Sequence, residues 1–179
     1  SSAPARCCGV GASGNATITI SNVSIDRNGT ITGADASGIS VFGLGGTTIS
    51  GVSINQNGAI VGGGTRAIGI GSVTASAVIS DVSISDNDSL SGFNAGINVG
   101  NEAATASNSG LVITGNGLIT ASGPGAPAVQ ILSGNPGAGN VVSANGIADS
   151  GVGVRVANGV PGVPTGLTIV GNVIENTGT

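Results

Sequence analysis

The sequence predicts an all-β protein, a three-sided parallel solenoid of about six coils of roughly 29 residues. Three observations predict it. The first is a repeat. The pattern apolar–x–apolar–x–x–Asn–Gly–x–apolar is clearest at Val52-Ser53-Ile54-Asn55-Gln56-Asn57-Gly58-Ala59-Ile60. Its asparagine recurs at Asn28, Asn57, Asn87, Asn116, Asn145 and Asn172, in steps of 29, 30, 29, 29 and 27 residues. A period in that range marks stacked repeats. The second is alternation: apolar residues recur with period two in short bursts, as strands with one buried face require. The third is composition. Gly is 35 of 179 residues, Phe42 and Phe93 are the only aromatics, and Ile, Val, Leu and Ala must supply the core. β-Branched residues and glycine at this density disfavour helices.

Taken in order, residues 1–15 are rich in Ser, Ala, Gly and Cys and predict an irregular segment; the repeats run over 16–179 with an incomplete last coil. Each coil carries three bursts. The first precedes the asparagine: Val23/Ile25, Val52/Ile54, Val82/Ile84, Leu111/Ile113 and Leu167/Ile169. The second is short and follows it: Ile31, Ile60, Leu90 and Ile119. The third is an alternating pair: Ile39/Val41, Ile68/Ile70, Ile97/Val99, Val129/Ile131 and Val152/Val154. Strands of two to four residues separated by glycine-rich turns describe one triangular coil. Equivalent strands then stack in parallel at about 4.8 Å.

The corner after the first strand has its own logic. Gly29, Gly58, Gly117 and Gly146 are expected to supply φ > 0, with Asp88 as a tolerated departure. The preceding asparagines, turned inward, are expected to bond the backbone groups of the corner and one another from coil to coil. Replacing Asn57 by Ala is then costly and replacing the outward Ser53 is not. Two longer corners, around 121–127 and 157–164, contain no titratable side chain and read as spacers.

These repeats resemble the right-handed parallel β-helix of the pectate-lyase-like superfamily, with its asparagine ladder. The resemblance spans residues 16–179 and is closest in Leu167-Thr168-Ile169-Val170-Gly171-Asn172-Val173-Ile174-Glu175-Asn176-Thr177-Gly178. It implies a fold and leaves activity open, because lyases, hydrolases, epimerases, tailspikes and adhesin passengers share that repeat. Members acting on acidic polysaccharide use clustered acids, often with calcium, and a Lys or Arg base.

The chain offers little of that chemistry. It has four Arg, eight acids, no Lys and no His, for a net charge of −4. Phosphate neutralisation needs clustered cations, so no nucleic-acid partner is expected. No apolar run approaches the roughly 18 residues of a membrane span. Asp81, Asp86 and Asp88 form the one dense acidic group; carboxylates there suit calcium, but the coil before offers only Asn55 and Gln56 beside them. Solvated acids on a turn are the simpler reading, and no metal, cofactor or catalytic residue is assigned. The outward rows, Ser24, Ser53, Ser83, Val112 and Thr168, and Ser40, Gly69, Asn98 and Gln130, predict flat, small, weakly polar faces. Such a face suits glycans or ice, without the aromatic platform sugars usually find or a regular Thr-x-Thr row. Cys7 and Cys8 are the only cysteines; a vicinal disulfide or pairing with other chain are the alternatives.

The expected function is therefore a non-catalytic, extracellular or cell-surface β-helix, a structural or adhesive component of a surface or filament. Its expected partners are more polypeptide at the solenoid ends, either the rest of a longer chain or head-to-tail subunits, with glycans as a further candidate. The alternative is a fragment of a carbohydrate-active β-helix enzyme, a polysaccharide lyase, hydrolase or epimerase. Ice or glycan binding on the Ser/Thr face is the minor alternative.

Overall fold

The computed structural model describes residues 8–12, 18–43, 46–72, 77–100, 107–133, 135–158 and 166–176. Among these there are only strands, turns and bends, and every strand pairing is parallel. Three sheets form the sides of a solenoid. Sheet A stacks, in order, Cys8–Ala12, Ile39–Gly43, Arg66–Ser72, Ala95–Gly100, Pro127–Ser133 and Val152–Asn158. Sheet B stacks Ile18–Ser24, Thr47–Asn55, Ala77–Ser85, Ser107–Thr114, Asn140–Ser143 and Leu167–Val170, with the short Asn135–Pro136 also on Ser107–Thr114. Sheet C stacks Ile31–Gly33, Ala59–Gly62, Ser89–Gly92, Leu118–Ala121, Gly146–Ala148 and Val173–Glu175. Each chain segment therefore runs sheet B, sheet C, sheet A and back, one coil higher. The architecture matches the right-handed parallel β-helix class. The ladder rungs are separated by five coil-to-coil steps, so the solenoid has about five turns rather than six.

The repeat forms this structure because its inward positions are aliphatic in all three sheets. Ile20, Ile49 and Ile79 stack along the first half of sheet B, and Ile54, Ile84 and Ile113 along its second half. Ile60, Leu90, Ile119 and Ile147 stack along sheet C, and Ile39, Ile68, Ile97 and Val129 along sheet A. All but Ile20 are at most 1 % exposed and form one core. Like side chains stacked one coil apart fill the interior without aromatics.

Four local expectations are corrected. The strands of sheet B reach nine residues, not four. They bend in mid-strand at a left-handed residue, Gly51 or Asp81, whose place the alternation conceals. Cys8–Ala12 is a strand, pairing Val10 with Val41, although 1–15 reads as irregular. An unpaired sheet edge binds backbone, so Cys-Gly-Val-Gly-Ala needs no strong pattern to add to it. The last pair of sheet A is Val154/Val156, opposite Val129/Ile131; Val152 lies opposite Pro127 and is 38 % exposed. The corner at 121–127 is packed: Gly123 N–H donates to the Phe93 carbonyl at 2.8 Å, and Ala126 and Pro127 are buried.

Candidate functional site

The asparagine column is the most ordered polar feature. Asn57 donates through its backbone N–H and its Nδ2 to Asn87 Oδ1, at 3.0 and 2.9 Å. The same amide donates to the carbonyl of Ile25 in the preceding coil at 2.8 Å. Asn87, Asn116 and Asn145 repeat this, with carbonyl partners Ile54, Ile84 and Ile113. Asn28 begins the column by donating to Asn57 Oδ1, and Asn172 ends it by accepting from Asn145 and donating to the Val142 carbonyl. Asn57, Asn87, Asn116 and Asn145 are at most 2 % exposed. The Asn-to-Asn bonds thus have a polarity, each rung donating to the next higher coil and accepting from the lower one.

The corner itself is built differently from the expectation. Gly29, Gly58, Gly117 and Gly146 do not have positive φ, nor does Asp88. The left-handed residue is the one before each asparagine: Arg27, Gln56, Asp86, Gly115, Ala144 and Gly171. The later glycines are needed for close approach of coils. A Cβ on Gly117 would strike the Asp88 carbonyl oxygen, and one on Gly146 the Gly117 carbonyl. Gly29, in the first described coil, has nothing within 4 Å of that position.

Outside the ladder, the first two coils of sheet B meet in a second polar cluster. Asp26 Oδ1 accepts from the Asn55 N–H at 2.8 Å and from Ser53 Oγ at 2.8 Å. Its Oδ2 accepts from Ser24 Oγ at 2.7 Å and Ser53 Oγ at 2.9 Å. One coil on, Asn55 Oδ1 takes the same role for the Ser85 N–H at 2.8 Å. Arg27 Nε donates to Gln56 Oε1 at 3.1 Å. Ser24, Asp26, Arg27, Asn55 and Gln56 line an open depression of about 390 Å³. Partial burial acts to raise the Asp26 pKa, but the bonds from Ser24, Ser53 and the Asn55 N–H, with the charge of Arg27, outweigh it and hold the carboxyl below its ordinary value. An ionised carboxylate with both oxygens engaged is a backbone cap, not a proton donor. Ser53 is accordingly half-buried and bonded, where the sequence reads it as an exposed control.

Sheet A departs from the expected flat exposed row. Ser40, Gly69, Asn98 and Gln130 are in register, but Gly69 and Asn98 are buried, Asn98 at 2 % exposure with its Oδ1 unpartnered. The Phe42 ring lies against Gly69, and the Arg66 guanidinium sits 5.8 Å from that ring, its pKa lowered by burial. A second buried asparagine pair also escapes the repeat pattern. Asn140 Oδ1 accepts from the Leu111 N–H at 3.0 Å and its amide donates to the Asn108 carbonyl at 3.1 Å. Their off-column positions, 108 and 140, give no periodic signal.

Asp81, Asp86 and Asp88 are all exposed, and among the described residues no three acid, His or Cys side chains converge on a metal position. Asp81 and Asp86 instead lie against Gly110 and Gly115 of the next coil. Cys7, the Cys8 side chain and the corner at 159–165 lie outside the described residues. No helix among the described residues is long and apolar enough to cross a membrane. No family model, curated protein or solved structure matches this chain. The fold and its internal ladder define it as a parallel β-solenoid with stacked asparagines.

Proposed function

We propose that the protein is a structural or adhesive β-solenoid that works by docking further polypeptide onto its end, in an extracellular or cell-surface setting. The three-sheet coil and its stacked asparagines support placing it in the pectate-lyase-like superfamily. One observation carries the docking role: among the described residues, nothing covers the inward columns at the Asn172 end. Ile169 and Ile174 occupy the inward columns of Val142 and Ile147, which are 0 and 1 % exposed, yet each is 47 % exposed. Val170 and Val173 beside them are 57 and 60 % exposed. These strands also form the edges of sheets B and C, where unpaired backbone groups template another strand. Ladder polarity selects the occupant. Among the described residues the Asn172 N–H has no acceptor and the Asn28 Oδ1 has no donor. A coil added beyond Asn172 extends the ladder by offering an acceptor, so head-to-tail addition fits, whereas a two-fold tail-to-tail contact sets donor against donor.

The Asp26 cluster gives the enzyme alternative little support. Glycoside hydrolysis uses two carboxyl groups with opposed roles, and Asp26 is a single, saturated, ionised one. Light scattering on the purified chain over rising concentration is the test, with Ile169→Lys as the comparison. Association that grows with concentration and is lost in the variant is expected. A monomer at every concentration, with Leu167–Val170 and Val173–Glu175 amides protected from exchange, overturns the docking role. Cleavage of an acidic polysaccharide that Asp26→Asn abolishes overturns the non-catalytic one.

A further inference from the structure

We propose that Asn28–Gly29 is a self-modification site, at which the chain converts Asn28 to aspartate and isoaspartate through a succinimide while the other ladder Asn-Gly pairs are protected. The step needs only water. The Gly29 amide nitrogen attacks Asn28 Cγ and loses its proton; the Cγ–Nδ2 bond breaks and Nδ2 leaves as ammonia. A five-membered imide remains. Water then opens it at either carbonyl, giving aspartate by one route and isoaspartate by the other. Asn-Gly is the reactive dipeptide because glycine places no side chain in the path of its nitrogen.

The ladder contains four such pairs, at Asn28, Asn57, Asn116 and Asn145. The structure separates the first from the rest on two counts. The nucleophile is engaged in three of them: Gly58 N–H donates to the Asn28 carbonyl at 2.8 Å, Gly117 N–H to Asn87 at 2.8 Å, and Gly146 N–H to Asn116 at 3.1 Å. Gly29 N–H has no acceptor among the described residues, in which Ile31–Gly33 is the edge strand of sheet C. The electrophile differs too. Asn57, Asn116 and Asn145 are 1 to 2 % exposed and each Oδ1 accepts from the preceding rung. Asn28 is exposed, and its Oδ1 accepts nothing among the described residues. Among the described residues its amide is held only by Asn57 Oδ1 at 2.9 Å and the Asp26 carbonyl at 3.3 Å, in the coil that edges sheets B and C, where local opening costs least.

The product has a structural consequence. The Asn28 amide donates to Asn57 Oδ1; a carboxylate there sets acceptor against acceptor and removes the first side-chain rung. The site lies at the end of the solenoid opposite Ile169 and Ile174 and does not depend on their docking role.

The test is peptide mapping of the full chain after incubation in mildly alkaline buffer, at a dilution where light scattering shows single chains. Ammonia loss, the acid product and isoaspartate are scored at all four sites. Conversion at Asn28 is expected to exceed that at each of the other three by about tenfold or more, since protected coils react only when locally opened. In denaturant the four are expected to convert at comparable rates. Gly29→Val, whose Cβ meets nothing within 4 Å, is expected to abolish the Asn28 product with the strand spectrum unchanged. Equal conversion at the four sites in the folded chain, or faster conversion at Asn57, overturns the proposal. So does an unchanged Asn28 yield in the valine variant.

Discussion

Asn87 sits at the centre of the ladder, and its replacement by alanine measures what an internal rung is worth. The side chain makes four bonds in buried surroundings. Its amide donates to the Ile54 carbonyl at 2.9 Å and to Asn116 Oδ1 at 2.8 Å. Its Oδ1 accepts from the Asn57 N–H at 3.0 Å and the Asn57 amide at 2.9 Å. The backbone N–H of Asn87 keeps Asn116 Oδ1 and is unaffected. Truncation therefore strands one backbone donor, the Asn57 N–H, and removes one bond from a backbone acceptor, the Ile54 carbonyl. A buried group left without a partner costs about 1–3 kcal/mol, and each remaining bond about 1 kcal/mol net. Allowing for a water in the vacated space, Asn87→Ala should lose about 2–4 kcal/mol. Asn28→Ala removes bonds at an exposed rung and should lose less than about 1 kcal/mol. Thr32→Ala, on the outer face of sheet C, should stay within about 0.5 kcal/mol. Urea titration followed by circular dichroism measures all three, with equal slopes required for the comparison because repeat arrays can lose cooperativity. If Asn87→Ala costs no more than Thr32→Ala, the ladder is not what closes the corner.

Gly117→Ala should destabilise by about 1–3 kcal/mol, because its Cβ meets the Asp88 carbonyl, while Gly29→Ala should be neutral or slightly stabilising; paired melting curves decide between this and a left-handed requirement at both. The depressed Asp26 pKa means the unfolded chain binds more protons than the folded one in the acid range, so this stability is complete above the ordinary aspartate value of about 3.9 and is lost as pH falls through the lower folded value. Asp26→Asn should flatten that part of the melting temperature against pH, and an unaltered slope would place the acid sensitivity elsewhere.

The interior was legible and the exterior was not, for a physical reason. Inward columns such as Ile54, Ile84 and Ile113 are held to one chemistry by stacking, so their period survives in the sequence. The ladder asparagines are fixed the same way, since each must both donate and accept across a coil. Outward positions answer to local neighbours. Asp26 and Asn55 cap the N–H groups of the next coil, a role shared by different side chains and so without a motif. The burial of Asn98 depends on what lies over sheet A, and no pattern along its own strand records that. The misassigned glycines show the limit most clearly. Asn-Gly suggests a left-handed glycine, but the conformation belongs one residue earlier than the asparagine, where Arg27, Gln56 and Ala144 give no sign of it.

The left-handed residues within sheet B explain how such a conformation is tolerated without glycine in every coil. They are Asn22, Gly51, Asp81, Gly110, Gly139 and Gly166. Asn and Asp are among the few side chains at ease there, so each alone is unremarkable. Their order carries the information. The Asn22 Oδ1 lies 3.1 Å from where a Cβ on Gly51 would be, and the Asp81 Oδ1 lies 3.0 Å from that position on Gly110. A short polar side chain in one coil therefore lies tightly beside the next, and a glycine there avoids the close contact. At Gly139, which follows a glycine, the nearest atom is the Gly110 Cα at 3.8 Å, an ordinary contact. The alternation of Asn or Asp with Gly up the first four coils follows this contact; the ladder column shows it only at Asp86 and Gly115, since the long side chains of Arg27 and Gln56 are followed by Gln56 and Asp86 without glycine. In a solenoid the residue that constrains a glycine lies about one period away, here 29 residues for both Asn22–Gly51 and Asp81–Gly110. Its requirement is invisible to any reading of the turn alone.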